Sequence, residues 1–259
     1  MFFEFDNEKL YYEINGTGKP LVFIHGFPFR TNMWEKQVEY FSNKGYKVIT
    51  VDLRGHGNST GIPDSIEQMG NDIFSLIDNL SINKPVIAGM SMGGYIAFDM
   101  SVRFPNKFSA GIYISTKAEG DNDNVKSIRD DLVADIKIKG SDSVAEFYMP
   151  KLFSPNTSDN KLINTVKEWI INNKNSSLIG ATVAMRNRTD NTMNLKKIEF
   201  PALIIAGNDD PMIPKGTVKT ECNLITTCNY EIIKEAGHMA NMEKPDIVNK
   251  IIFNFLNKI

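Results

Sequence analysis

Eight short runs rich in β-branched or aromatic residues punctuate the chain, and helical periodicities separate most of them. The runs lie near residues 2–5, 9–14, 21–24, 47–52, 85–90, 109–114, 202–206 and 230–234. The first two flank "DNE", a turn signal, and read as a hairpin. The later ones, such as "LVFI" and "ALIIA", are continuously apolar. Strands buried on both faces of a parallel sheet carry that pattern. Between them, Ile66, Met69, Ile73, Leu76, Ile77 and Leu80 recur at helical spacing. Ser65 and Gln68 form a candidate capping box ahead of that stripe. Pro245 suits a first-turn position, and Ile247, Val248, Ile251, Ile252, Phe255 and Leu256 follow as an apolar face. Strand–helix alternation of this kind predicts an α/β fold with right-handed crossovers.

The alternation stops between about residues 121 and 195. Helical stretches are expected there at 125–137, 144–149, 161–172 and 177–186, and no strand. Ile128, Leu132 and Ile136 stripe the first stretch; Leu162, Val166, Trp169 and Ile170 stripe the third. The pattern predicts a core made of residues 1–120 and 196–259, with an all-helical insertion over 121–195. No internal repeat or low-complexity tract is visible.

Composition narrows the function. The chain has 259 residues, 42% hydrophobic and 23% charged, with a net charge of −2, which fits an ordinary soluble globular protein. Its basic residues are scattered, so no nucleic-acid partner is expected. No apolar run approaches the roughly 18 residues of a membrane span. The N-terminus carries early acids and no basic segment, so no signal peptide is read and a cytoplasmic location is expected. Cys222 and Cys228 match neither a zinc pattern nor a redox pair and read as free thiols of a reducing compartment. His25, His56 and His238 lack second ligands at metal spacing, so no metal is expected.

The candidate chemistry starts at "GMSMGG", where Ser91 sits at the seam between a strand and a helix. A sharp turn there strains the serine backbone and crowds the residues two before and two after it. Gly89 and Gly93 supply the small side chains, and Gly94 lets the helix approach the sheet. A serine nucleophile needs a base. His25, His56 and His238 all follow strands, although glycine-bounded loops around His25 and His56 favour a structural role for those two. The base needs an orienting carboxylate; Asp209 and Asp210 in "GNDDPMIP", and Asp52, are placed for it.

Five segments in order, "FIHGFPFRTNMW", "VDLRGHGNST", "GMSMGGY", "AGNDDPMIP" and "EAGHMANMEKP", resemble the α/β-hydrolase superfamily over nearly the whole chain. The resemblance implies a mostly parallel eight-stranded sheet flanked by helices, with the insertion as a helical cap. It implies Ser91 as nucleophile, His238 as general base and Asp210 as its carboxylate, since G-x-x-D-x-x-x-P maps onto Gly207, Asp210 and Pro214. It also implies an oxyanion hole from the backbone N–H groups of Phe27 and Met92. No cofactor is needed for that chemistry.

An aspartate at the serine's place, as in relatives that open epoxides or remove halides, is absent. The "GMSMGG" segment also differs from the "GGSWGG" look of proline iminopeptidases. The stretch "AMRNRTDNT" before "IEFPALIIAGNDDP" resembles small-molecule esterases and enol-lactone hydrolases, and the "HGFP" loop resembles cofactor-free haloperoxidase-like esterases. Hydrolysis of a small ester or lactone is therefore expected. The alternatives are C–C bond hydrolysis or a lyase reaction on the same scaffold, or a non-catalytic small-molecule-binding protein. Trp34, Phe147, Tyr148, Phe153, Trp169 and Met185, beside Phe27 and Met92, are the candidate pocket residues. The competing reading is that each aromatic of the insertion only packs helix on helix.

Overall fold

The structure, a computed structural model, describes residues 1–5 and 7–259. Eight strands form one sheet: β1 (Phe2–Phe5), β2 (Glu8–Asn15), β3 (Lys19–Ile24), β4 (Tyr46–Val51), β5 (Val86–Met90), β6 (Ala110–Ile114), β7 (Ala202–Gly207) and β8 (Cys228–Ile233). Their spatial order is β1-β2-β4-β3-β5-β6-β7-β8. β1, β2 and β4 pair antiparallel, and every pairing from β4 to β8 is parallel. The hairpin between β1 and β2 forms; Asp6 of its turn lies outside the described residues.

The helices are α1 (Glu35–Ser42), α2 (Ile66–Asn79), α3 (Met92–Arg103), α4 (Asp123–Lys139), α5 (Ser141–Leu152), α6 (Asn160–Ile171), α7 (Asn175–Arg186), α8 (Thr217–Cys222), α9 (Ala240–Glu243) and α10 (Pro245–Leu256). α1 packs with α10 and α2 with α3. β5, β6 and β7 are buried along their whole length, as their unbroken apolar runs require when helices cover both faces. Phe98 of α3 stacks on Tyr113 of β6 with ring centroids 3.8 Å apart, and the Tyr113 hydroxyl donates to Ser101. Among the described residues no helix is long and apolar enough to cross a membrane.

Local signals act as their chemistry demands. The Ser65 hydroxyl caps α2 by accepting the Gln68 N–H at 3.0 Å. The Gln68 side chain returns to the N–H of Asp64 rather than of Ser65, one residue earlier than in the usual capping box. Pro245 opens α10, where its missing N–H costs nothing.

α4, α5, α6 and α7 all lie in the connection between β6 and β7. α5 runs past Pro150, where the sequence pattern places its end at 149, and closes at Leu152. The Leu152 carbonyl accepts the N–H of Met239 at 2.9 Å. The insertion is thus tied directly to the loop after β8.

One expectation is overturned. Cys222 and Cys228 are not free thiols; they form a disulfide. Cys222 ends α8 and Cys228 opens β8, and the short turn between them brings their Cα atoms to 5.3 Å, inside the range a disulfide spans. Spacing along the chain could not reveal this, because the closure depends on the turn direction.

Candidate active site

Ser91 follows β5 and precedes α3 with φ 51° and ψ −117°, a conformation that L residues adopt only at a cost. The turn is enforced by contacts on both sides. A Cβ on Gly89 would lie 2.1 Å from the Gly93 carbonyl oxygen, and one on Gly93 would lie 2.2 Å from that of Ile24. A Cβ on Gly94 would meet the Thr116 side chain at 2.4 Å. The Thr116 hydroxyl in turn donates to the Ser91 carbonyl. Each glycine therefore removes an atom from a place already taken, and the serine is held where β3, β5 and β6 end.

The loop after β3 closes on this turn. A Cβ on Gly26 would come within 3.2 Å of the Ser91 Cβ, so Phe27, the next residue, lies beside the serine. The Phe27–Pro28 peptide bond is cis. Neither the Phe27 nor the Met92 N–H donates to a protein acceptor among the described residues. Met92 is the first residue of α3, where helical N–H groups are unpaired and the helix dipole is positive.

His238 comes from the loop after β8 and Asp210 from the loop after β7. Gly207 lets them meet, because a Cβ there would lie 2.2 Å from the carbonyl oxygens of both Ala236 and Gly237. His238 Nδ1 is 2.8 Å from Asp210 Oδ2, and both side chains are almost wholly buried. The other oxygen of Asp210 accepts the Met212 N–H at 2.8 Å. Asp209 turns away: its carboxylate accepts the Ser154 hydroxyl and the Asn208 amide. Asp52 accepts the N–H groups of Thr31 and Asn58 and so braces two loops.

The remaining histidines do not line the cavity that Ser91 and His238 share. His25 Nδ1 donates to the Gly26 carbonyl and Nε2 accepts the Leu53 N–H, which leaves no free lone pair for base chemistry. Burial pushes its pKa down to about 4. Burial, with His25 beside it, pushes His56 down to about 3. In the unfolded chain both take up protons once the pH falls below about 6.5, whereas the folded protein keeps them neutral to far lower pH. Their contribution to stability is therefore complete above pH 6.5 and declines as the pH falls towards 4. Urea unfolding at pH 7 and pH 5 should show roughly 3–4 kcal/mol lost through the two rings together. A stability that does not change over that interval would contradict their burial as neutral groups.

Ser91 and His238 open onto one cavity of about 300 Å³, at the lower end of the range for small-molecule sites. Phe27, Phe147, Tyr148 and Met185 line it. Trp34, Phe153 and Trp169, also expected in the pocket, do not. Trp34 is fully buried in the core against Phe23, at 4.7 Å between ring centroids. Trp169 packs edge-on to Phe29 and lines a separate small cleft. Phe153 is half-buried where the insertion meets Gly237.

Several further residues line the cavity. Ile128 and Leu132 of α4 turn their stripe to the cavity, beside Arg129, and Lys151 comes from the end of α5. Lys117, Asp121 and Tyr95 complete that side. Asp121 accepts from both Arg129 and Arg188, and the Arg188 guanidinium lies 4.1 Å from the centre of the Tyr95 ring. Glu243 is a further residue that sequence patterns miss. Its carboxylate accepts the N–H groups of Gly237 and Ser154 at 2.8 Å and the Thr157 hydroxyl, which fastens the insertion to the His238 loop. The helical stripe marks Ile128 and Leu132, but no local pattern marks Asp121, Arg129 or Glu243, since their partners are distant in sequence.

A family model described as the alpha/beta hydrolase fold matches residues 19–245, and the chain belongs to that family. Two curated relatives match nearly full length. The 3-oxoadipate enol-lactonase 2 of Acinetobacter baylyi is 28% identical over 236 residues, covering 90% of this chain and 86% of the relative. The non-heme chloroperoxidase CPO-A1 of Kitasatospora aureofaciens is 26% identical over 269 residues, covering 98% of each. Among solved structures, a thermophilic esterase from Thermogutta terrifontis with malate bound superposes with a TM-score of 0.93 at 30% identity, covering 97% of this chain and 94% of that one.

Proposed function

We propose that the protein is a serine hydrolase of small carboxylic esters or lactones that works through an acyl-enzyme on Ser91. The observation that carries this reading is the His238–Asp210 pair opening, together with a strained Ser91, onto one cavity. In the proposed reaction His238 takes the Ser91 proton through Nε2 as the hydroxyl oxygen attacks the substrate carbonyl. Asp210 fixes the Nδ1–H tautomer and stabilises the imidazolium. The Phe27 and Met92 N–H groups receive the oxyanion; donors of this kind are worth about 3–4 kcal/mol each. His238 then protonates the leaving oxygen, and a water activated by the same ring releases the acid. No step calls on a cofactor.

Residues 121–195 act in this reading as a cap on the core of 1–120 and 196–259. In support, α4 and α5 supply cavity walls. The esterase and enol-lactonase relatives favour ester and lactone carbonyls, and the chloroperoxidase relative fits the same scaffold.

A fluorophosphonate tests the reading without a guess at the substrate. One adduct per chain is expected on Ser91 by peptide mass mapping, and it should disappear in His238→Ala. A folded wild-type protein that stays unlabelled would reject an activated Ser91 and bring the binding-protein alternative forward.

A further inference from the structure

The cavity wall opposite in chemistry to its apolar lining is cationic. Lys117, Arg129 and Lys151 line it, against Asp121 as the carboxylate among the same residues. Lys117 is neutralised by Glu119 at 2.8 Å. Asp121 is shared between the guanidinium groups of Arg129 and Arg188, so one carboxylate faces two cations. Arg188 is turned aside by its stacking on Tyr95 and its bonds to the carbonyls of Glu119 and Met185. Arg129 holds Asp121 through Nε and the Tyr148 hydroxyl through Nη1. Its Nη2 donates to no protein acceptor among the described residues.

Lys151 is the stronger sign. Its ammonium has no carboxylate partner among the described residues and lies 3.3 Å from the centre of the Phe147 ring. Burial pulls its pKa below the ordinary lysine range. Lys151 is partly buried at the cavity wall, and a carboxylate on a ligand in that cavity can supply the counter-charge it lacks. Lys151 is also held in place: the next residue, Leu152, accepts the Met239 N–H beside His238. The backbone that carries this cation is therefore tied to the loop that carries the proposed base.

We propose that the site selects short esters or lactones that carry a free carboxylate, and that Lys151, with Arg129, binds that carboxylate and determines specificity. The Tyr148 hydroxyl, accepting from Arg129, keeps its own proton to donate to the same group. The reaction in this proposal rests on the hydrolase reading, but the binding does not.

Monoethyl glutarate and ethyl glutaramate differ at the far end only, carboxylate against neutral amide. The wild type should prefer the anion, and Lys151→Met should lower the ratio of the two kcat/KM values by about 10- to 100-fold, the worth of one charge-assisted hydrogen bond. Lys151→Arg should restore most of the ratio. Arg129→Met is a poorer probe, because it strips a buried partner from Asp121. Binding is read separately by calorimetry with glutarate on Ser91→Ala protein. Affinity should fall at least about 10-fold when Lys151→Met is added. Equal glutarate binding with and without Lys151 would overturn the proposal whether or not any ester is cleaved. Loss of ester turnover with lysine-dependent glutarate binding intact would instead count against the hydrolase reading alone.

Discussion

Ser91→Ala should lower kcat/KM for any ester substrate by about 10⁴- to 10⁶-fold, the scale seen when a nucleophile acting as one unit with its base is removed. The fold should not change. Alanine keeps the Cβ that makes φ 51° unfavourable, so it neither adds nor relieves backbone strain. The glycines that make room for the turn are untouched. Thermal melting of the variant should therefore match the wild type. Ser91→Gly makes a useful contrast: it also removes the hydroxyl, but it relieves a conformation that costs about 1–3 kcal/mol. The glycine variant should melt roughly 2–4 °C higher for each kcal/mol recovered. Inactivity with raised stability would mean that strain is held at this residue to aim its side chain. Activity within about tenfold of wild type in Ser91→Ala would exclude an acyl-enzyme on this residue.

Much of this arrangement is legible in the amino-acid sequence. Strands buried on both faces must be apolar without interruption, and "LVFI", "VIAGM" and "ALIIAG" are. A turn with no room for side chains needs glycine on both sides of the serine, and Gly89 and Gly93 stand there. The same kind of reading separates the two adjacent aspartates only weakly, because both are chemically competent. Backbone direction decides: Asp210 meets His238 and Asp209 meets Ser154.

The pocket wall is where the sequence misleads. Trp34 and Trp169 are large and apolar, and size alone fits a core or a cavity equally well. Trp34 fills the core beneath the first loop, and Trp169 packs on Phe29. In contrast, charges within an amphipathic helix are ordinarily assigned to solvent. Arg129 breaks that rule because Asp121, eight residues earlier and at the mouth of the insertion, folds back to meet it. Arg188 arrives at the same carboxylate from the far end of the insertion. The insertion thus closes on itself through one buried carboxylate, and that closure holds Arg129 at the cavity beside the apolar stripe of α4. Pairings over such distances leave no periodic trace.

The carboxylate beside His238 gives the second large effect. Asp210 uses both of its oxygens, one for His238 Nδ1 and one for the Met212 N–H. Asparagine offers one acceptor and one donor in the same space, so Asp210→Asn cannot satisfy both partners. If its oxygen keeps the Met212 N–H, its amide N–H faces His238 Nδ1 and forces the proton to Nε2. That tautomer has no lone pair to take the Ser91 proton. If the oxygen turns to His238 instead, a backbone N–H and a side-chain N–H face each other in a buried place, and the imidazolium loses its counter-charge. Either way kcat/KM should fall by about 10³- to 10⁴-fold with little change in fold. Asp209→Asn is the control. Its remaining oxygen can still accept the Ser154 hydroxyl, and activity should stay within about threefold, since a neutral surface hydrogen bond is worth about 1 kcal/mol or less. Steady-state kinetics on the two variants with one ester decides between neighbours that differ by a single position. A larger loss for Asp209→Asn than for Asp210→Asn would reassign the base's partner and with it the geometry of the proposed proton transfer.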